Sequence, residues 1–232
     1  MRPGLDRRAA TWVVNGTAWR LSRLACRIDD HEVHRIPARG PLLLVTNHVN
    51  FLEIPLVFSH LQPRPVTGLA KAETWNSPLM GLLFNLWGAI PIRRGEGDVV
   101  AIRRVLEALE AGMIVAVSPE GTRSGDGCLR RAKPGIGLLA AHSSAPILPV
   151  AFYGHERIWS NVSRLRRTDF HIRVGQLLRV RADGRWTAEK RQAVADEIMT
   201  RIATLLPRQY QGAYADFPTG TSTFLEPVPA AS

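Results

Sequence analysis

The chain has 232 residues, 45% hydrophobic and 22% charged, with 19 glycines and 16 prolines. That composition builds a folded core and excludes a disordered or collagen-like polymer. Thirty lysines and arginines against twenty acidic residues leave a net charge of +10, which suits an anionic partner such as nucleic acid, a phospholipid headgroup or a phosphorylated metabolite, although arginine richness also follows genome base composition.

Residues 9–28 predict a helix in which Trp12, Val13, Trp19, Leu21, Leu24, Ala25 and Ile28 are apolar and Arg20, Arg23 and Arg27 punctuate them. Indole suits the lipid headgroup zone and guanidinium pairs with phosphate. The amphipathic segment 1–40 therefore reads as a membrane-surface anchor or as a terminal helix packed on its own domain. A buried strand is expected over Pro41–Thr46, then a loop and a helix through about Leu61, then a strand over Val66–Ala70. Ser77, followed by Pro78, opens a helix to Trp87. Ala89–Arg93 is strand-like, Gly97–Ala111 an amphipathic helix stopped by Gly112, and Met113–Val117 a strand. Pro134–Ser143 predicts a helix, Pro146–Phe152 a strand, Phe170–Val180 one or two strands and Thr187–Leu206 a long helix. Residues 207–232 read as a poorly ordered tail or a wrapping strap. The alternation implies an α/β fold, a mostly parallel central sheet flanked by helices and preceded by the amphipathic N-terminal segment.

Cys26 and Cys128 are too few for a disulfide framework or a metal-binding CxxC pair and read as buried or incidental thiols of a reducing compartment. No signal-peptide pattern follows the basic start, and no run of about eighteen apolar residues occurs. The expected location is the cytoplasmic side of a membrane, peripheral or monotopic, against an anionic surface. Interleaved aromatics, a helix-turn-helix and zinc spacing are all missing, so no nucleic-acid partner is expected.

The chemistry-bearing residues sit at predicted strand ends, where open α/β sheets bind ligands. Asn47-His48-Val49-Asn50-Phe51-Leu52-Glu53 places a histidine in a loop and a carboxylate in the first helical turn behind it. Folded back, Glu53 fixes the imidazole tautomer and favours the imidazolium formed when His48 accepts a proton. The same Asn50-x-x-Glu53 spacing is a capping box that merely ties down the helix start, and Pro55 leaves that start uncertain. Ser118-Pro119-Glu120-Gly121-Thr122-Arg123-Ser124 offers a close-approach glycine, hydroxyls and a guanidinium fork, or else an ordinary turn. Lys71-Ala-Glu73 and the pair Arg93-Arg94 are cations that converge on one anion or stay solvated. Arg130-Arg131-Ala-Lys133 precedes a helix N-terminus, which favours an anion in the same place. Arg157, Arg164, Arg166 and Arg167 form a second basic cluster, for phosphates of lipid or CoA or as a solvated face.

In this order, the His-x4-acid loop, Lys71-Ala-Glu73, Gly88-x-Ile-x-Ile-x-Arg94, Pro119-Glu-Gly-Thr-Arg-Ser124 and Leu148-Pro-Val-Ala151 resemble the glycerolipid acyltransferase family. The type is the 1-acylglycerol-3-phosphate (lysophosphatidate) acyltransferases, over roughly Pro41–Gly154, with residues 41–206 as the acyltransferase domain. The resemblance implies acyl transfer from acyl-CoA or acyl-carrier protein to a lysophospholipid hydroxyl, without metal or other cofactor. It implies His48 as general base, Glu53 as the residue that orients it, and Glu120, Gly121, Thr122 and Arg123 as the acceptor-binding block. Lys71 and Arg94 are implied phosphate ligands, with Lys133 a further substrate-binding cation. The family's acid is usually aspartate, and Glu53 is one methylene longer. Ser118 stands where phenylalanine is usual. Those departures admit another acceptor, such as a different lysolipid, a neutral glyceride or a non-glycerol lipid. The chain has no Gly-x-Ser-x-Gly elbow for a covalent serine route.

Overall fold

The structure is a computed structural model that describes residues 3–61, 63–93, 97–181, 184–218 and 223–228, with side chains from Ala9 onward. Its centre is five parallel strands: β2 (Leu42–Thr46), β3 (Val66–Lys71), β4 (Ile90–Ile92), β5 (Ile114–Val117) and β6 (Ile147–Tyr153). They lie side by side in the order β4-β3-β5-β2-β6. Beyond β6 the sheet turns antiparallel with β7 (Thr168–Val174), and β1 (Cys26–Asp29) closes that edge parallel to β7. β8 (Leu178–Val180) pairs with β6, and β9 (Leu225–Pro227) pairs with β8, both antiparallel.

Every residue of β2 is buried because both sheet faces are covered. Leu43 and Val45 point to a core shared with Ala101, Val105 and Leu109 of α4 (Val99–Glu110), with α5 (Gly135–His142) and with α7 (Ala188–Ala203). Leu42 and Leu44 point the other way, to α2 (Glu53–His60) and α3 (Pro78–Leu86). Each such aliphatic side chain stabilises the fold by about 1.5–3 kcal/mol when fully buried. Side-chain caps start the helices where the sequence asks: Ser77 accepts from Met80 N, Asp98 from Ala101 N and Thr187 from Lys190 N.

One expectation needs correction. Residues 26–28, expected in the first helix, fall in β1: α1 (Pro3–Ala25) stops there because Cys26-Arg27-Ile28-Asp29 finds the open edge of β7. The apolar residues of α1 divide between the two expected roles, with Val14 and Ala25 packed against the core and most of the others turned away from it. The helix's buried positions are Asn15 and Ser22, while Trp12, Val13, Trp19, Leu21 and Leu24 are exposed. Asn15 donates to the Phe58 carbonyl (3.3 Å) and accepts from Trp87 Nε1 (2.9 Å), so α1 docks on α2 and α3 by hydrogen bonds. Residues 207–218 lie against the domain: Tyr214 is buried, its hydroxyl accepting from Ala132 N and donating to Asp196.

Candidate active site

The five parallel strands bring their carboxyl ends to one edge, and each sequence motif leaves the sheet there. The loop after β2 is held down first. The Asn47 side chain donates to the Phe152 carbonyl and accepts from its N–H, both at 2.8 Å, extending the β2–β6 ladder through a side chain. His48 follows, half-buried, with Nδ1 at 2.6 Å from Oε2 of Glu53. Among the described residues Nε2 has no hydrogen-bond partner, so this nitrogen is left for a reacting group.

Glu53 is the first residue of α2 and is only 3% exposed. Its Oε1 accepts from Val49 N and Asn50 N, both at 2.9 Å, and from His155 Nε2 at 2.5 Å. Backbone contacts that tie down the helix start and the imidazole contact are therefore both present, one on each oxygen, but the reciprocal half of a capping box is not made, because Asn50 Oδ1 accepts from Leu52 N at 2.9 Å. Pro55 is harmless at this helix start because its missing N–H falls in the first turn, where amides have no helical partner. Burial alone would raise the Glu53 pKa, but the hydrogen bonds from His155 and His48 outweigh it and bring the carboxyl down to about 2.

The loop after β5 is stitched onto the histidine loop. Ser124 N donates to the His48 carbonyl (2.7 Å) and Gly125 N to the Val49 carbonyl (3.0 Å). Glu120 is 1% exposed, and its two oxygens accept from the backbone N–H groups of His48 and Arg130, each at 2.9 Å. It joins the two loops through their backbone. Burial pushes its carboxyl up to about 7, against the lowering effect of those amides. Gly121 turns the chain at a φ of +68°, a region that favours glycine, and its α-carbon faces the Lys133 stem. Thr122, Arg123 and Lys133 are exposed around this turn, with the Arg123 guanidinium 5.9 Å from the Phe51 ring centroid. Ser118 has a buried hydroxyl with no partner among the described residues.

Lys71 ends β3 beside Ile92 of β4 and pairs with Glu73 at 3.3 Å. Arg93 is exposed, and Arg94 lies outside the described residues. His155 was missed by sequence reasoning, although it stands two residues past the end of β6, as His48 stands past β2. No group of His, Cys, Asp or Glu among the described residues is arranged to hold a metal ion.

Residues 27–153 match the acyltransferase family. The chain belongs to that family. Among relatives of this acyltransferase, the lyso-ornithine lipid O-acyltransferase of Pseudomonas aeruginosa is 32% identical over 167 residues, covering 65% of this chain and 64% of that protein. The chloroplastic 1-acyl-sn-glycerol-3-phosphate acyltransferase BAT2 of Brassica napus is 31% identical over 135 residues, 57% of this chain and 39% of that one. The alignments thus span less than two thirds of these relatives' own length. The crystal structure of the 1-acyl-sn-glycerophosphate acyltransferase PlsC from Thermotoga maritima shares the fold, with a TM-score of 0.65 over 88% of this chain and 82% of that one at 22% identity.

Proposed function

We propose that this acyltransferase moves a fatty acyl group from a thioester, acyl-CoA or acyl-carrier protein, to the hydroxyl of a lysolipid. His48 is the general base and Glu53 its partner. The observation that carries this reading is the 2.6 Å contact of His48 Nδ1 with Glu53, which leaves Nε2 without a partner among the described residues. Nε2 takes the acceptor's hydroxyl proton as the oxygen attacks the thioester carbonyl carbon. The carbon–sulfur bond then breaks, and the proton passes from Nε2 to the departing thiolate. A positioned base contributes about 10²–10⁴-fold, and orientation with oxyanion stabilisation supplies the rest.

Two acceptor types are named by the relatives, a glycerol phosphate and an ornithine lipid. Exposed Arg123 and Lys133 favour a phosphate, whereas the Lys71–Glu73 ion pair takes one expected phosphate ligand towards a carboxylate instead. The deciding experiment supplies the purified protein with palmitoyl-CoA and a mixture of lysophosphatidate, lyso-ornithine lipid and monoacylglycerol, and identifies products by mass spectrometry. An acylated lysolipid is expected. Free fatty acid as the sole product would replace this reading with that of a thioesterase.

The outer face of α1 supports association with an anionic bilayer. Trp12, Val13, Leu21 and Leu24 are each more than half exposed, and the Arg23 guanidinium lies 4.8 Å from the Trp19 ring centroid. Among the described residues no helix is long and apolar enough to cross a membrane, so the helix would lie in the interface with its arginines at the phosphates. The double substitution Trp12→Ser with Leu24→Ser is expected to weaken co-sedimentation with phosphatidylglycerol vesicles about tenfold or more. Unchanged sedimentation would reject α1 as the contact.

A further inference from the structure

His155 has no part in the proton transfer described above, yet it makes the shortest contact to Glu53. We propose that His155 is a positioning residue. By donating Nε2–H to Oε1 of Glu53, it locks the carboxylate so that Oε2 alone serves His48.

The ring is built in from every side. It is fully buried, lies 4.2 Å from the Phe170 ring centroid, and its carbonyl accepts from the Asn50 side chain at 3.0 Å. Gly154 makes the turn that delivers it, at a φ of +91°, where an added β-carbon would sit 2.7 Å from the Asp169 carbonyl oxygen. The Nδ1 atom is buried without a partner among the described residues, so the ring donates from Nε2 and leaves Nδ1 bare. A buried polar atom left unsatisfied is tolerated where the ring's other nitrogen has a specific task.

The task follows from the length of the acid. Glutamate has one more rotatable bond than aspartate, and a free carboxylate turns about it and exchanges its oxygens. Three donors on Oε1, from Val49, Asn50 and His155, against a single donor on Oε2, remove that freedom. The bond from His155 also draws negative charge away from Oε2, which makes Glu53 a weaker partner for an imidazolium at His48. The titratable groups hydrogen-bonded to His48 among the described residues are Glu53 itself, on α2, and Glu120, from the loop after β5, at its backbone N–H.

The proposal rests on the acyl-transfer reading only for its effect on turnover, so the decisive measurement needs no substrate. The full chain, labelled with ¹⁵N-histidine, is titrated by NMR as wild type, His155→Phe, which keeps a planar ring without a donor, and His155→Gln, which keeps an N–H donor. Loss of the donor in the Phe variant is expected to raise the His48 titration midpoint by about half a pH unit or more, and the Gln variant to restore most of it. In the wild type, His155 is expected to carry its proton on Nε2 with Nδ1 bare, a reading that stands even where the Phe variant does not fold. With an active acceptor, kcat falls about tenfold in the Phe variant at nearly constant KM and recovers in the Gln variant. A His155 proton on Nδ1, or an identical His48 midpoint in a folded Phe variant, overturns the proposal. Absent turnover in the wild type with the NMR results intact overturns the acyl-transfer reading and leaves the positioning role standing.

Discussion

Replacing His48 with alanine is expected to lower turnover about 10³-fold or more while leaving the fold in place. In the proposed transfer the ring is the only part of His48 that takes part, and it is removed whole. A positioned base is typically responsible for about 10²–10⁴-fold, and the upper part of that range applies where a second group stabilises the imidazolium. The stability cost is small because the backbone contacts survive: His48 N still reaches Glu120, and the His48 carbonyl still accepts from Ser124. Glu53 keeps its three donors on Oε1, and Oε2 lies beside a half-buried position that water can enter. A purified His48→Ala protein that melts near the wild type and keeps more than about a tenth of its turnover would remove His48 from the mechanism.

The placement of this candidate site was legible because its residues lie at strand ends that announce themselves. Leu42–Thr46 is an unbroken apolar run, and a run of that kind buried on both faces belongs in a parallel sheet, with function at its carboxyl edge. The same reasoning was available for His155, which follows the equally apolar Ile147–Tyr153. It passed unnoticed because its partner, Glu53, is 102 residues away, while the acid beside it in sequence, Glu156, accepts from Tyr210 instead. β1 was hidden in the same way. Cys-Arg-Ile-Asp continues a helical pattern as well as it begins a strand, and only the distant edge of β7 decides between them.

The direction of side chains was less legible than their position. Glu120 stands in the expected turn, but a carboxylate in that turn reads equally well as a group facing an acceptor. Its burial and the two amides of His48 and Arg130 spend both oxygens on the protein. In α1, the sequence shows tryptophans and arginines but not which side meets the domain, and the buried side proves to be the one bearing Asn15 and Ser22. Pairings between loops, such as Ser124 to His48, depend on where two strand ends stop relative to each other, which no local pattern records.

Glu53 permits a sharper separation, because its cap and its imidazole contact use different oxygens. Glu53→Ala strands the N–H groups of Val49 and Asn50 and the Nε2–H of His155 in a buried place. Unsatisfied buried donors cost about 1–3 kcal/mol each, partly relieved by water in the space created, so a net loss of about 3–5 kcal/mol is expected. In a thermal melt of a chain this size that lowers Tm by roughly 8–15 °C. Glu53→Gln behaves differently. Its amide oxygen replaces Oε1 and keeps the cap, while its NH₂ now faces His48 Nδ1. The imidazole must present a bare Nδ1 to that donor, which moves its proton to Nε2 and removes the lone pair that would accept from the hydroxyl. Turnover is expected to fall about 10³–10⁴-fold, as when a base is held in the wrong tautomer, with far less loss of Tm than in the alanine variant. The acid limb of stability separates them as well. The Glu53 carboxyl sits at about 2 in the folded chain against an ordinary 4.5, so its contribution is complete above the ordinary value and is lost as pH falls towards 2. That part of the pH dependence is expected to vanish in both variants, as read by chemical denaturation between about pH 2 and 5. A glutamine variant that is stable and fully active would leave Glu53 as a helix cap alone, whereas a stable and inactive one requires the carboxylate as a partner of His48.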